Sequence, residues 1–396
     1  MNASGRVWVE IDLESIRRNF RTLAALVAPA RPAAVVKSEA YGHGLIEVSK
    51  AVLEEGAWGL CVVYAEEGQR LRQAGIEAPI LVVGPLLEFE METAITNRLQ
   101  VAVYDSQQAR QLSAECARLG QDILVHLKVD TGLARLSTVA EDALEFVHEV
   151  RNLPGLVIEG VYSHFADAEG LDQSYTLLQY RRFRQFLDRL QEAGLRPPLR
   201  HISGSAAALL LKEARLDLVR LGIAIYGLWP ADETRLLLLS RGRDLLELVN
   251  DQFENGQTPA IEELLTPALS FKTRCLQVKA VPAGCKVGYG CTYETQRPTR
   301  IAVLPVGYAE GYDRHLSNCG EVLVRGRRAR VLGRICMNLT VVDVTDIPEV
   351  TAGDEVVLIG TQNGQTIRAE EVAAKIGTIH YEVVTRIPAC VPRVFV

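Results

Sequence analysis

Short apolar runs alternate with amphipathic helical patterns eight times across the first 230 residues, and this repetition constrains the fold more than any other property of the chain. The runs are Ala33–Lys37, Trp58–Tyr64, Pro79–Gly84, Leu99–Tyr104, Ile123–Val129, Leu156–His164, Leu199–Ser203 and Leu216–Tyr226. Each is the length of a strand buried on both faces, and the segments between them carry a helical period. Tyr175 to Gly194, for example, places Leu177, Leu178, Tyr180, Phe183, Phe186, Leu187 and Leu190 near one helix face. An open doubly wound sheet also alternates strand and helix. Eight units in this length fit a parallel (β/α)8 barrel of the TIM type better.

After Gly227 the texture changes. Residues 231–262 are rich in Leu, Glu and Arg and read as a helical insertion or linker. From there Val, Ile and Thr runs are broken by turns such as Arg325-Gly326-Arg327 and Asn363-Gly364, which predicts a mainly β domain over 263–396 after a barrel over 1–230. A chain of 396 residues exceeds the size at which one core usually stops growing, so two domains are expected. Net charge of −6 gives no footprint for nucleic acid or an anionic membrane. No stretch approaches the roughly 18 consecutive apolar residues of a membrane span. The eight cysteines lack metal-ligand spacing, so reduced thiols, no metal and a cytoplasmic location are expected.

Polar residues gather where these predicted strands end. In barrels of this kind that rim carries the active site. Lys37 closes the first run and enters Ser38-Glu39-Ala40-Tyr41-Gly42-His43-Gly44, a placement suited to a Schiff-base lysine because desolvation favours the neutral amine. Lys128 and Arg135 flank the end of the fifth run, His164 ends the sixth, Ser205 follows the seventh and Arg220 lies on the eighth. Taken singly, His164 reads as a satisfied core histidine, Arg220 as an ion-pair partner of Asp217, and Ser205 as a helix cap. Their coincidence on one rim favours a site.

The stretch Val35-Val36-Lys37-Ser38-Glu39-Ala40-Tyr41-Gly42-His43-Gly44 resembles the pyridoxal-phosphate lysine motif of the alanine racemase family. Lys128-Val129-Asp130-Thr131-Gly132-Leu133-Ala134-Arg135-Leu136 resembles its K-x-D-T-G-x-x-R-L motif, and Val219 to Gly227 its pyridine-arginine segment. Lys286 to Tyr293, Pro305 to Tyr312, Gly333 to Asn338 and Ile379 to Glu382 complete the likeness across both domains in family order. The resemblance implies pyridoxal 5'-phosphate as cofactor and interconversion of L- and D-alanine by two bases, Lys37 and Tyr289, supplying D-alanine for peptidoglycan. It implies that Lys37, Tyr41, Arg135, His164, Ser205, Arg220, Gly222, Ile223 and Tyr381 hold the cofactor. Arg135, Tyr289 and Met337 would hold the substrate, and Tyr308 and Tyr381 would narrow its entrance. Lys128 would be carbamylated, and Tyr289 would reach the partner's site in a head-to-tail homodimer.

Four positions depart from the family pattern. Ser38 and Glu39 replace the commoner Ala-Asn, Gly288 stands where serine is usual, and Asn338 stands where aspartate is usual. The chemistry is coherent without the label: racemisation removes a proton from one face of a carbon and returns one to the other, which two opposed bases do most simply. His164 and Arg220 would help a tyrosine act as a base. A racemase for serine or a larger amino acid is the alternative within enzymes; a non-catalytic pyridoxal-phosphate-binding barrel is the alternative outside them.

Overall fold

The computed structural model describes residues 5–240 and 264–396, and these form two units. One comprises Ser15–Ala40 and Leu45–Thr266; the other comprises Met1–Glu14, Tyr41–Gly44 and Pro267–Val396, within the described residues.

The chain opens with β1 (Val7–Ile11), and the barrel strands follow: β2 (Arg31–Val35), β3 (Gly59–Val62), β4 (Ile80–Val82), β5 (Gln100–Val103), β6 (Ile123–Asp130), β7 (Thr138–Val139), β8 (Leu156–Tyr162), β9 (Leu199–His201) and β10 (Leu218–Leu221). Eight of them are parallel neighbours in the order β10-β2-β3-β4-β5-β6-β8-β9, with the two-residue β7 paired to β6. Asp217 N–H donates to Arg200 O at 3.2 Å and Arg220 N–H to Ser203 O at 3.0 Å, which brings the β9 and β10 segments together and nearly closes the barrel. All eight apolar runs are strands of this barrel. Every residue of Gly59–Val62, Ile80–Val82, Gln100–Val103 and Leu218–Leu221 is buried, so these strands are covered on both sides, which is why they read as continuous apolar runs.

Most strands are shorter than their runs, so that His164, for example, lies two residues past its strand, and two ends differ in conformation. The first run leaves the sheet at Val35, because Ser38, Glu39, Ala40 and Tyr41 turn left-handed, at φ between 52° and 55°. The eighth is a strand only over Leu218–Leu221, and Ile223–Tyr226 is a 3-10 turn. The helix Ser174–Glu192 buries Phe183, Phe186, Leu187 and Leu190 as its period predicts, together with Gln179. That glutamine is inside because its amide accepts from Ala166 N–H and donates to His164 O.

The second unit is mainly β: β11 (Leu269–Arg274), β12 (Gln277–Val281), β13 (Lys286–Val287), β14 (Tyr293–Glu294), β15 (Thr299–Leu304), β16 (Glu321–Val324), β17 (Arg327–Arg330), β18 (Thr340–Asp343), β19 (Glu355–Gln362), β20 (Gln365–Ile367) and β21 (Arg393–Phe395). Its main sheet runs β17-β16-β19-β11-β1-β21, and β12-β15-β18 form a second. The N-terminal strand, grouped with the barrel on sequence continuity, thus lies inside this sheet. It pairs antiparallel with β11 and parallel with β21, and Trp8, Val9 and Ile11 are buried. Of the expected 231–262 insertion, Asp232–Ser240 is a helix and residues 241–262 lie outside the described residues. No helix among the described residues is long and apolar enough to cross a membrane.

Candidate active site

Lys37 sits two residues past the end of β2, half-buried, at the start of the left-handed turn. Left-handed backbone costs about 1–2 kcal/mol per residue outside glycine, so four such residues in a row mark a segment held by its surroundings. Gly42 continues the turn at φ 83°, where a Cβ would lie 2.4 Å from Val384 O. Burial and the Arg135 guanidinium push the Lys37 amine below its usual pKa, against smaller opposing effects of Glu67 and Cys61. A larger neutral fraction makes this amine a better nucleophile and base.

Inside the barrel a polar chain runs from Arg220 to Gln100, and its proton positions follow from one fixed donor. A guanidinium can only donate, so Arg220 Nη1 donates to His201 Nδ1 at 2.5 Å. His201 must then carry its proton on Nε2, which donates to His126 Nδ1 at 2.9 Å, and His126 Nε2 donates to Gln100 Oε1 at 2.8 Å. Arg220 Nη2 donates to Ser163 O, Ile202 O and His164 Nδ1, at 3.0, 3.1 and 3.1 Å. All three histidines are therefore neutral. Burial, then the Arg220 charge, lowers His126 to about 3 and drives His164 and His201 well below the usual range. Asp217 does not pair with Arg220; it takes Arg200, at 2.7 and 3.0 Å.

Lys128 projects inward from β6, buried, its Nζ 5.6 Å from the centre of the Tyr162 ring; Arg220 Cζ lies 5.2 Å from the same centre. Burial first, then Arg135 and Arg220, lower the Lys128 amine to about 8. Asp130 fixes the loop leading to Arg135, its carboxylate accepting from the N–H groups of Gly132, Leu133 and Ala134 and from the Ser137 hydroxyl. Arg135 itself is exposed. The Tyr162 hydroxyl is buried without a hydrogen-bond partner among the described residues. Ser205 is the first residue of its helix rather than the cap, which is Gly204; its hydroxyl accepts from Gly222 N–H at 2.8 Å. Ile223 is buried at the head of the following turn.

The other candidates belong to the β unit. Tyr41 and Tyr381 pack their rings 6.2 Å apart. Tyr289 is 72% exposed, Met337 55% and Tyr308 44%. Gly288 takes φ 72°, which serine would adopt only under strain, and Asn338 donates to Glu310 Oε1 at 2.6 Å. No group of His, Cys, Asp and Glu among the described residues could hold a metal. Sequence reasoning missed Gln100, His126, Tyr162 and His201. The available signal was that His126 and Lys128, two apart on β6, share one face.

Residues 11–230 match the family model for the alanine racemase N-terminal domain, and residues 268–395 match that for the alanine racemase C-terminal domain. Alanine racemase of Desulforamulus reducens is 42% identical over 392 residues, covering 98% of this chain and 99% of that protein. The crystal structure of alanine racemase from Bacillus anthracis with bound L-Ala-P is 35% identical with a TM-score of 0.87, covering 100% of this chain and 96% of that one. Alanine racemase from Bartonella henselae with covalently bound pyridoxal phosphate is 26% identical with a TM-score of 0.82, covering 99% and 100%.

Proposed function

Because the chain belongs to the alanine racemase family, we propose that it interconverts L- and D-alanine with pyridoxal 5'-phosphate, supplying D-alanine for peptidoglycan in the cytoplasm. The observation that carries this reading is the convergence of four cations: Arg135 acts on Lys37, Lys128 and Arg220, and Arg220 and Lys37 act on Lys128, each lowering the pKa of the group it faces. Lys128 and Arg220 are buried among these like charges, and such a cluster calls for an anion. A phosphorylated aldehyde suits the set: an amine with a depressed pKa for the aldehyde carbon, and hydroxyl and backbone donors for the phosphate. When bound, the cofactor supplies an electron-accepting ring conjugated to the substrate's α-carbon.

Lys37 holds the cofactor and serves as the base toward D-alanine. Tyr289 serves as the base toward L-alanine, and its 72% exposure supports a role in a partner's site within a head-to-tail homodimer. Arg220 would hold the cofactor's ring side as a donor that does not surrender a proton, and His164 accepts from that guanidinium and helps keep it in place. Tyr41, Ser205, Gly222, Ile223 and Tyr381 hold the phosphate. Gly222 N–H is bound to Ser205 Oγ, so these two act as a unit. Arg135 and Met337 receive the substrate carboxylate, and Tyr308 and Tyr381 narrow the entrance toward a methyl side chain. Lys128, with its amine lowered to about 8, is partly neutral near physiological pH and takes up carbon dioxide, becoming an anion that orients Arg135. Chiral analysis of the purified protein with a panel of L-amino acids tests the substrate. Fast interconversion restricted to alanine, with borohydride fixing the cofactor on Lys37, is expected. Turnover of serine in preference to alanine, or label on another lysine, overturns the reading.

A further inference from the structure

The helix Ala65–Gln73 grips the turn behind Lys37 at two points. Glu67 Oε1 accepts from Ser38 N–H at 2.6 Å, while its Oε2 accepts from Val63 N–H at 2.8 Å and Tyr64 N–H at 3.2 Å. One carboxylate thus joins the end of β3 to the residue after the lysine. One helical turn on, Arg70 forms a two-point ion pair with Glu39. The second grip settles what Glu39 does beside Lys37: its charge is taken by Arg70, and Glu67 is the carboxylate that acts on the amine.

From this geometry we infer that Glu67 and Arg70 are positioning residues for Lys37, holding Ser38 and Glu39 left-handed so that the amine is fixed at the barrel rim. An N3 glutamate that only capped its helix would need the Tyr64 contact alone. The Ser38 contact crosses to another strand's loop and lands on the strained segment. Alanine at position 67 removes the bridge entirely. Glutamine keeps the volume but turns its NH2 toward one set of N–H donors, so one side must open.

The charged and titratable groups acting on Lys37 are Arg135, Glu67 and Cys61, with Lys128 and His164 coupled to it in turn. Among these Glu67, and after it Cys61, hold the amine pKa up. Loss of Glu67 therefore moves the amine's titration to lower pH.

The test uses the full-length holoenzyme with Glu67→Gln, Arg70→Ala and Arg70→Lys. Hydrogen exchange of the peptide spanning residues 33–44 reads the turn independently of any reaction. Losing one grip should speed its exchange about five- to tenfold in Glu67→Gln and Arg70→Ala, with Arg70→Lys restoring part of the protection. The second readout rests on the proposed racemase activity: α-proton exchange from each alanine enantiomer against pH. Glu67→Gln should move the acidic limb for D-alanine, where Lys37 is the base, to lower pH and leave the L-alanine limb in place. Unchanged peptide exchange in both Glu67→Gln and Arg70→Ala overturns the inference, as does an equal shift of both limbs. Should Glu67→Gln fail to fold, Arg70→Ala decides by peptide exchange alone. Wild-type protein that turns over neither enantiomer defeats the racemase reading, while the exchange of residues 33–44 still decides the clamp.

Discussion

Replacing His201 by phenylalanine keeps an aromatic ring stacked on Tyr162, whose centroid lies 4.8 Å away at an interplanar angle of 5°, but deletes both nitrogens. Arg220 Nη1 then loses its acceptor and His126 Nδ1 loses its donor, while Arg220 Nη2 keeps its three partners. A buried neutral group left unsatisfied costs about 1–3 kcal/mol and a charged one more, so the substitution should cost about 3–5 kcal/mol. Urea unfolding at pH 8 measures this directly. Acid adds a second signature. His126, His164 and His201 are depressed in the folded protein, so between about pH 6.5 and their folded values only the unfolded chain binds their protons. Stability contributed by their neutral forms is complete above about pH 6.5 and is lost as pH falls, at about 1.4 kcal/mol per pH unit for each histidine. His201→Phe should therefore be less stable at pH 8 yet lose stability less steeply toward pH 5, by one histidine's share. A cost below about 1 kcal/mol together with an unchanged acid slope would refute the neutral, directional chain from Arg220 to Gln100.

Three further outcomes follow from the site. Lys128, lowered to about 8, should take up labelled bicarbonate at pH 8 and give a carbamate carbon signal that Lys128→Ala abolishes and that fades toward pH 6 as the amine protonates; a bare ammonium at high bicarbonate would argue against it. Ser205→Ala removes the hydroxyl that receives Gly222 N–H and donates to the proposed phosphate, and a hydrogen bond to a charged group is worth about 1.5–3 kcal/mol, so cofactor should dissociate at least tenfold more readily while Lys37 still reacts; unchanged retention would remove Ser205 from the phosphate site. Tyr289→Phe should retain α-proton exchange from D-alanine and nearly lose it from L-alanine, by roughly 10²–10⁴-fold, whereas equal residual exchange in deuterated water would end the division of labour between Tyr289 and Lys37.

The barrel was legible because its strands are covered on both faces and so appear as unbroken apolar runs separated by helical periods. Rim residues were legible for a related reason: a polar side chain at the end of such a run has no structural partner in the pattern. His126, Gln100 and His201 lie inside the runs, where a polar residue reads as a lapse in hydrophobicity. Their meaning depends on contacts across β5, β6 and β9, which sequence does not display. The placement of β1 was hidden in the same way, since its partners lie at 269–273 and 393–395.

The turn after Lys37 is the sharpest case. Ser-Glu-Ala-Tyr contains no glycine before Gly42, so local propensity gives no reason to expect four left-handed residues. The conformation is specified elsewhere, by Glu67 on Ser38 and Arg70 on Glu39, with Ala40 N–H donating to Val36 O at 2.8 Å. Glu39, which replaces the commoner asparagine two residues from the lysine, is matched by Arg70. Its compensating arginine lies 31 residues downstream, and the helix that carries it supplies at Glu67 the carboxylate that acts on the amine. A departure at position 39 is therefore weighed together with positions 67 and 70: restoring the commoner asparagine there would leave Arg70 without its carboxylate while Glu67 keeps its hold on Ser38. Such a change should loosen the turn and leave the Lys37 pKa nearly where it was.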